Sequence, residues 1–289
     1  KLVANGGLVA LAGMLAEYFG AIEGASIEAN KGAYSSAWMI IFAVIAAVMV
    51  LLGLYHIKML PSTQVPATGK KTTSEIMQDL VNVIGNFFTK KHIVYYIFFI
   101  ILYRLAEGFI MKVAPLFLRA SREVGGLGLS LTEIGTLNGV FGSAAFVIGS
   151  LLGGIFVARY GLKKTLFMLC CVFNLPFLAY TFLAVVQPTS LYLIGTCITM
   201  EYFGYGFGFV GLTLFMMQQI APGKHQMSHY AFASGIMNLG VMLPGMISGY
   251  FSDLLGYRSF FIYVLIATIP AFLMTYFIPF TYDDSKKKK

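Results

Sequence analysis

A chain of 289 residues that is 58% hydrophobic and only 11% charged, with a mean hydropathy of +0.80, lies far from the balance of a water-soluble domain. Its net charge of +8 is carried by lysines and arginines in the connections between apolar runs. That placement argues for a membrane-orientation signal and against a nucleic-acid surface. The apolar runs repeat at lengths near the ~20 residues that cross a bilayer, and the strict alternation of barrel strands is absent, so the fold class is an all-α transmembrane bundle.

In chain order about eight spans are predicted, near 3–20, 37–57, 93–118, 131–159, 165–187, 190–218, 229–252 and 258–280. The first, "LVANGGLVALAGMLAEYFG", carries Glu17 near its outer end, where snorkelling to the interface and a place on a solute path are equal readings. After the second span comes the one long polar connection, 58–92. Its "PSTQVPATGKKTTSE" reads as a linker. "TTSEIMQDLVNVIGNFF" then places Ile76, Leu80, Ile84 and Phe87 at helical spacing, with Thr72 and Glu75 set for a capping box. The favoured reading is a helix lying in the membrane interface, and a regulatory contact is the alternative. The expected units are therefore 1–57, the linker 58–92, a six-helix bundle 93–281 and a tail 282–289. With the linker in the cytoplasm, Lys58, Lys70, Lys71, Lys90, Lys91, Arg159, Lys163, Lys164, Lys224 and Lys286–Lys289 share one side. Lys31, Arg119, Arg122 and Arg258 share the other. The C-terminus is thus expected in the cytoplasm.

The third span poses the chemical question. In "YYIFFIILYRLAEGFIMKVAPLFL" Arg104 and Glu107 stand one helical turn apart, where an unpaired charge costs roughly 2.5–3.5 kcal/mol. One reading is mutual neutralisation for packing. The other is a cavity-facing pair, with Arg104 binding a substrate carboxylate through its planar fork and Glu107 accepting a proton. Lys112 either snorkels or lines the path. Between the third and fourth spans, "GGLGLSLTE" reads as a flexible turn into a helix capped by Ser130 and Glu133, with an external gate loop as the alternative. In the sixth span Glu201, within "TCITMEYFGYGFG", is expected to be neutral or paired with Arg104 or Lys112. Gly149/Gly153, Gly204/Gly208 and Gly245/Gly249 are small-residue faces for close helix contacts, Asn138 and Asn174 read as interhelical hydrogen bonders, and Pro244 should kink the seventh span. Cys170, Cys171 and Cys197 read as small buried hydrophobes, and no metal-ligand set or cofactor-binding loop is present in the sequence.

Two turns carry a family resemblance. "GGIFVARYGLKK" resembles the G-x-x-x-D-R-x-G-R-K turn of the major facilitator superfamily, with Gly154, Arg159, Gly161 and Lys163 in register and Ala158 and Leu162 replacing the usual Asp and Arg. "GYFSDLLGYR" repeats the pattern with Gly249, Asp253, Gly256 and Arg258, on the opposite face, as inverted three-helix repeats require. Within that superfamily, "YRLAEGFIMKVAPLFLR", "GGLGLSLTEIGTLNGVFG", "MEYFGYGFGF" and "HYAFASGIMNLGVMLPGMISGYFSDLLGYRSFF" resemble the AmpG-type muropeptide permeases. The resemblance implies the last two helices of an N-terminal bundle plus a complete C-terminal six-helix bundle, with four helices ahead of them. It also implies proton-coupled uptake of anhydro-muropeptides by a monomer in a bacterial inner membrane, without cofactor or metal. The alternatives are a carrier of another anionic metabolite such as an acyl-CoA or a peptide, a membrane scaffold, and a membrane-embedded enzyme. The last would need an acid/base or metal constellation that the sequence does not display.

Overall fold

The computed structural model describes residues 8–22, 28–59 and 72–282. The start of the first predicted span (3–7), the linker stretch 60–71 with Lys70 and Lys71, and the lysine-rich tail from 283 lie outside the described residues. Helices account for nearly all of the rest, as uninterrupted apolar sequence in a bilayer requires.

The helices are α1 (Leu8–Tyr18), α2 (Lys31–Met59), α3 (Thr73–Phe88), α4 (Ile93–Tyr103), α5 (Leu105–Arg119), α6 (Leu131–Thr136), α7 (Ser143–Tyr160), α8 (Leu162–Asn174), α9 (Phe177–Val186), α10 (Leu191–Phe215), α11 (Gln226–Ala267) and α12 (Ile269–Tyr276). Among the described residues five continuous stretches are long and apolar enough to cross a membrane: Lys31–Met59, Ile93–Arg119, Leu131–Tyr160, Leu162–Val186 and Gln226–Tyr276. The last is 51 residues long, room for two crossings, and it breaks at Gly256 (φ 69°, ψ 160°). With the 25-residue α10, the chain from Ile93 onward runs back and forth as 93–119, 131–160, 162–186, 191–215, 226–255 and 257–276. The break at Gly256 and the reversal at Gly161 (φ 82°, ψ 145°) use nearly the same backbone conformation, one that side-chain-bearing residues rarely adopt.

Polar contacts mark the two ends of this unit. At one, Lys90 Nζ donates to the carbonyls of Ile220 and Pro222, and burial lowers its pKa below the ordinary lysine value. Gln219 there receives the Thr281 and Tyr282 amides at 2.9 and 3.0 Å. Tyr96 reaches Pro279 and Thr281. At the other, the Arg122 guanidinium donates to the Gln187 and Pro188 carbonyls, both at 2.9 Å. Along this path Lys90, Arg159, Lys163, Lys164 and Lys224 fall at the first of these ends, and Arg119, Arg122 and Arg258 at the second. Large apolar side chains such as Tyr250, Leu254 and Met246 stand outward with 70%, 67% and 77% of their surface exposed. Such a surface is matched to lipid and would drive aggregation in water.

Glycine lets α10 sit against α7 and α8 at backbone distance. A methyl group at Gly149 or Gly153 would meet the carbonyls of Phe203 and Phe207, and one at Gly204 or Gly208 those of Val172 and Leu169. The third expected glycine face behaves differently. Gly245 packs on the Lys112 stem, but Gly249 has open space around it. The closest approaches of α11 to the third span are instead made by Gly108 of α5, seated on Val241 and Pro244, and by Gly240 against Ile101 of α4. Pro244 is buried within α11, and separately the helix has non-helical angles at Gly256.

Local capping follows the sequence. The Thr72 amide donates to Glu75 at 2.8 Å ahead of α3, and Ser130 exchanges bonds with Glu133 at the start of α6. Of the apolar stripe on α3, Phe87 is buried against Phe232 and His229 of α11, while Ile76, Leu80 and Ile84 stay exposed. His229 Nε2 donates to the Val83 carbonyl at 3.2 Å and fastens the same turn. Two π-helical turns, Leu137–Gly142 between α6 and α7 and Met216–Ile220 after α10, were not legible in the sequence.

Gly208→Ala should lower stability in detergent by roughly 1–3 kcal/mol, the usual cost of overpacking. Gly249→Ala, in open space on a helix, should be neutral or gain up to ~1 kcal/mol. Thermal unfolding midpoints of the two variants check the contrast.

Candidate functional site

The span Ile93–Arg119 is interrupted at Arg104, whose backbone (φ −106°, ψ 4°) ends α4 and starts α5. From that break the Arg104 side chain reaches one turn forward. Its Nε donates to Glu107 Oε2 and its Nη2 to Glu107 Oε1, both at 2.6 Å. This is the two-pronged carboxylate geometry for which arginine is suited. The two residues are 2% and 4% exposed, so each supplies the countercharge that the other's burial requires.

Neighbouring helices close around the pair. The Phe209 ring of α10 lies under the guanidinium, 5.2 Å from Cζ to its centroid, a cation–π contact. The Tyr205 phenol, one turn away on α10, interacts with both Arg104 and Glu107. Tyr103, adjacent to the break, donates to the Gly208 carbonyl at 2.9 Å and locks α4 to α10. Gly108 brings α11 against the other side. Phe146 and Phe173 pack on Tyr205 with ring centroids 5.2 and 5.6 Å away.

The other expected site residues are distributed unequally. Glu201 lies on α10, two turns from Phe209 and in register with Tyr205, and it is close enough to Glu107 to feel its charge. Among the described residues it makes no hydrogen bond or ion pair, so the expected pairing with Arg104 or Lys112 is not found. Arg104 is occupied by Glu107. Lys112 is exposed on the α5 surface, with its stem along Gly245 of α11. Glu17 is likewise exposed and distant in role. Its Oε1 accepts the Thr132 hydroxyl at 2.7 Å, joining α1 to α6. Of the two readings of Arg104 and Glu107, the described residues show mutual pairing, with both side chains buried and not facing an open cavity. The described residues close over them, because the pair and its aromatic neighbours fill the space between α5 and α10. A cavity of about 940 Å³ does open elsewhere, between α7, α8, α9 and α10, but its walls are apolar and carry none of the charged candidates.

Of the turn residues, Gly161 and Gly256 are the reversals themselves. Arg159 lies over the Tyr160 ring at 5.5 Å. Gly154 stands in open space, and Arg159, Lys163, Asp253 and Arg258 are exposed. These residues sit at the ends of the bundle, apart from the buried pair. Asn174 bonds within its own helix, to the Cys170 carbonyl at 3.0 Å, instead of bridging helices as expected. Asn138 Oδ1 and Ser143 Oγ, in and beside the first π-helical turn, are buried and have no hydrogen-bond partner among the described residues. Tyr205, Phe209 and Ser143 escaped the sequence reading. The i, i+4, i+8 spacing of Glu201, Tyr205 and Phe209 was the available signal. Among the described residues no three His, Cys, Asp or Glu side chains are grouped as a metal ion would need.

The family model described as "Major Facilitator Superfamily" matches residues 126–289. The chain is 23% identical over 197 residues to an anhydromuropeptide permease of Escherichia coli strain K12, covering 68% of this chain and 39% of the permease. It is 24% identical over 220 residues to "Putative transporter AmpG 1" of Rickettsia conorii, covering 76% of this chain and 50% of that one. For "Putative transporter AmpG 1" of Rickettsia bellii the figures are 24% over 257 residues, 85% and 60%. The chain thus spans about half the length of the curated relatives it matches.

Arg104→Leu should destabilise the bundle by about 3–5 kcal/mol, because Glu107 then remains buried and unpaired. Arg104→Leu combined with Glu107→Leu should recover most of that loss. Unfolding midpoints of the wild type, the single and the double variant test whether the pair is self-neutralising.

Proposed function

The chain belongs to the major facilitator superfamily, and from that premise we propose that it forms the carrier's C-terminal six-helix lobe (93–281) together with two helices of the other lobe (1–57), joined through the segment 58–92. The protein is a multi-pass membrane protein of the transporter class, and its work is binding and alternating exposure rather than covalent chemistry. Its substrate is a small anionic solute, and the reading favoured by its relatives is proton-driven uptake of anhydro-muropeptides across a bacterial inner membrane, by a monomer with a cytoplasmic C-terminus. The grouping of Lys90, Arg159, Lys163, Lys164 and Lys224 toward one end supports that orientation.

One observation carries the reading: a bidentate Arg104–Glu107 pair held at a helix break in the middle of a span. Packing alone does not call for such a pair, since apolar residues of similar volume often fill its place without loss of stability. A pair at an interrupted helix, backed by an aromatic ring and a phenol, is an arginine held ready for another carboxylate. Muropeptides carry such carboxylates. In this mechanism the ligand's carboxylate takes the fork of Arg104 in place of Glu107, and the aromatic side chains of α10 supply faces for sugar or peptide.

A second reading, a carrier of a different anionic metabolite, rests on the same arginine and differs only in the solute. Arg104→Ala in the complete protein, reconstituted in proteoliposomes, should abolish uptake of labelled N-acetylglucosaminyl-anhydromuramyl peptide while membrane insertion is retained. Arg104→Lys should weaken ligand binding at least about tenfold, since hydrogen bonds to charged groups contribute roughly 1.5–3 kcal/mol. Undiminished uptake by Arg104→Ala would remove the pair from the binding site.

A further inference from the structure

We propose that Glu201, rather than Glu107, is the group that takes up and releases the coupling proton. The inference rests on the reading of the chain as part of a proton-coupled carrier, and names the proton site within it.

The two carboxylates stand in opposite circumstances. Both oxygens of Glu107 are held by Arg104 at 2.6 Å. Protonating Glu107 would therefore break a bidentate pair and leave a guanidinium that is 2% exposed without its countercharge. Glu201 has no such tie. Among the described residues it accepts no hydrogen bond and meets no cation, and Lys112, a conceivable partner, lies on the outer surface beside Gly245. A proton can thus join or leave Glu201 without dismantling an ion pair.

Its position links it to the pair all the same. Glu201, Tyr205 and Phe209 occur at i, i+4 and i+8, so they form one stripe along α10. Phe209 lies under Arg104, and Tyr205 interacts with both Arg104 and Glu107. Glu201 ends the stripe about 12 Å along the helix from Phe209, at 1.5 Å per residue. The ionisable groups facing it are Tyr180 from α9, Glu107 from α5, and Tyr202 and Tyr205 from α10 itself. Of these, Glu107 is the acidic charge that acts on Glu201. When a ligand carboxylate displaces Glu107 from Arg104, the negative charge near Glu201 is redistributed, and Tyr205 stands between the two events. The step itself is balanced simply: one proton adds to a Glu201 carboxylate oxygen from one side of the membrane and leaves it to the other. No other bond is made or broken.

The test uses the complete protein in proteoliposomes, with labelled N-acetylglucosaminyl-anhydromuramyl peptide as probe. Glu201→Gln should retain probe binding and equilibrium exchange, yet lose gradient-driven accumulation down to the level of the wild type treated with a protonophore. Glu201→Asp should restore accumulation in part. Glu107→Gln, in contrast, should change probe affinity itself, because the ligand's carboxylate then has no charged partner of Arg104 to displace. Gradient-driven accumulation by Glu201→Gln at the wild-type rate overturns the assignment, and so does a loss of binding and exchange together, which marks a structural role. Failure of the wild type to respond to a proton gradient defeats the carrier reading, and the assignment with it, and is seen without any variant. Proton uptake on probe binding, measured with a pH dye in weakly buffered detergent, should be present in the wild type and absent in Glu201→Gln.

Discussion

The bundle is organised around the cost of placing a guanidinium and a carboxylate in a medium without water. Arg104 and Glu107 meet that cost by satisfying each other in two hydrogen bonds, and the surrounding helices are arranged to keep them together. α4 stops at Arg104 and α5 starts there, which lets the side chain fold forward onto its partner. α10 contributes a ring beneath the cation and a carbonyl for Tyr103. α11 is admitted close on the other side only because residue 108 has no side chain. Charge, helix break and glycine contact thus form one construction. Loss of any part would expose the others to lipid or to a void.

The glycines of α10 extend the same logic. A helix that must carry Glu201, Tyr205 and Phe209 on one face has its remaining faces filled by α7 and α8. Gly204 and Gly208 admit the Val172 and Leu169 carbonyls, while Gly149 and Gly153 of α7 admit those of Phe203 and Phe207. Van der Waals contact at backbone distance substitutes for the hydrophobic effect, which gives helices little reason to associate within lipid. The positioning of the polar stripe is therefore a consequence of apolar packing several residues away.

Much of this was legible in the sequence because membrane constraints are coarse and strong. Apolar runs near the length of a bilayer located the long helices from Lys31 onward, and the glycine turns at 161 and 256 located the reversals. Ser130 with Glu133 announced a helix start. What escaped depended on side-chain partners across helices, which spacing along one helix does not encode. The sequence showed Arg104 and Glu107 one turn apart but left open whether they meet each other or a cavity, and the structure shows them meeting each other. Glu201 could be paired on paper with two cations, and neither is in reach. Gly245 and Gly249 have the spacing of a contact face, yet only Gly245 meets α5, and the tighter approaches fall at Gly108 of α5 and at Gly240 against α4, because helix orientation about its own axis decides which glycines meet a neighbour. The π-helical turn at Leu137–Gly142 left no trace in composition at all.

That turn sets a condition on the whole span it interrupts. One extra residue in a helix displaces everything beyond it by about 100° around the axis. Thr132 lies before the insertion and holds α1 through Glu17, whereas Ser150 lies after it and donates to the Gly206 carbonyl of α10 at 3.3 Å. The two halves of a single rod are thereby geared to different partners. Shortening the rod by one residue within the turn would let it mesh with one neighbour or the other, never both at once.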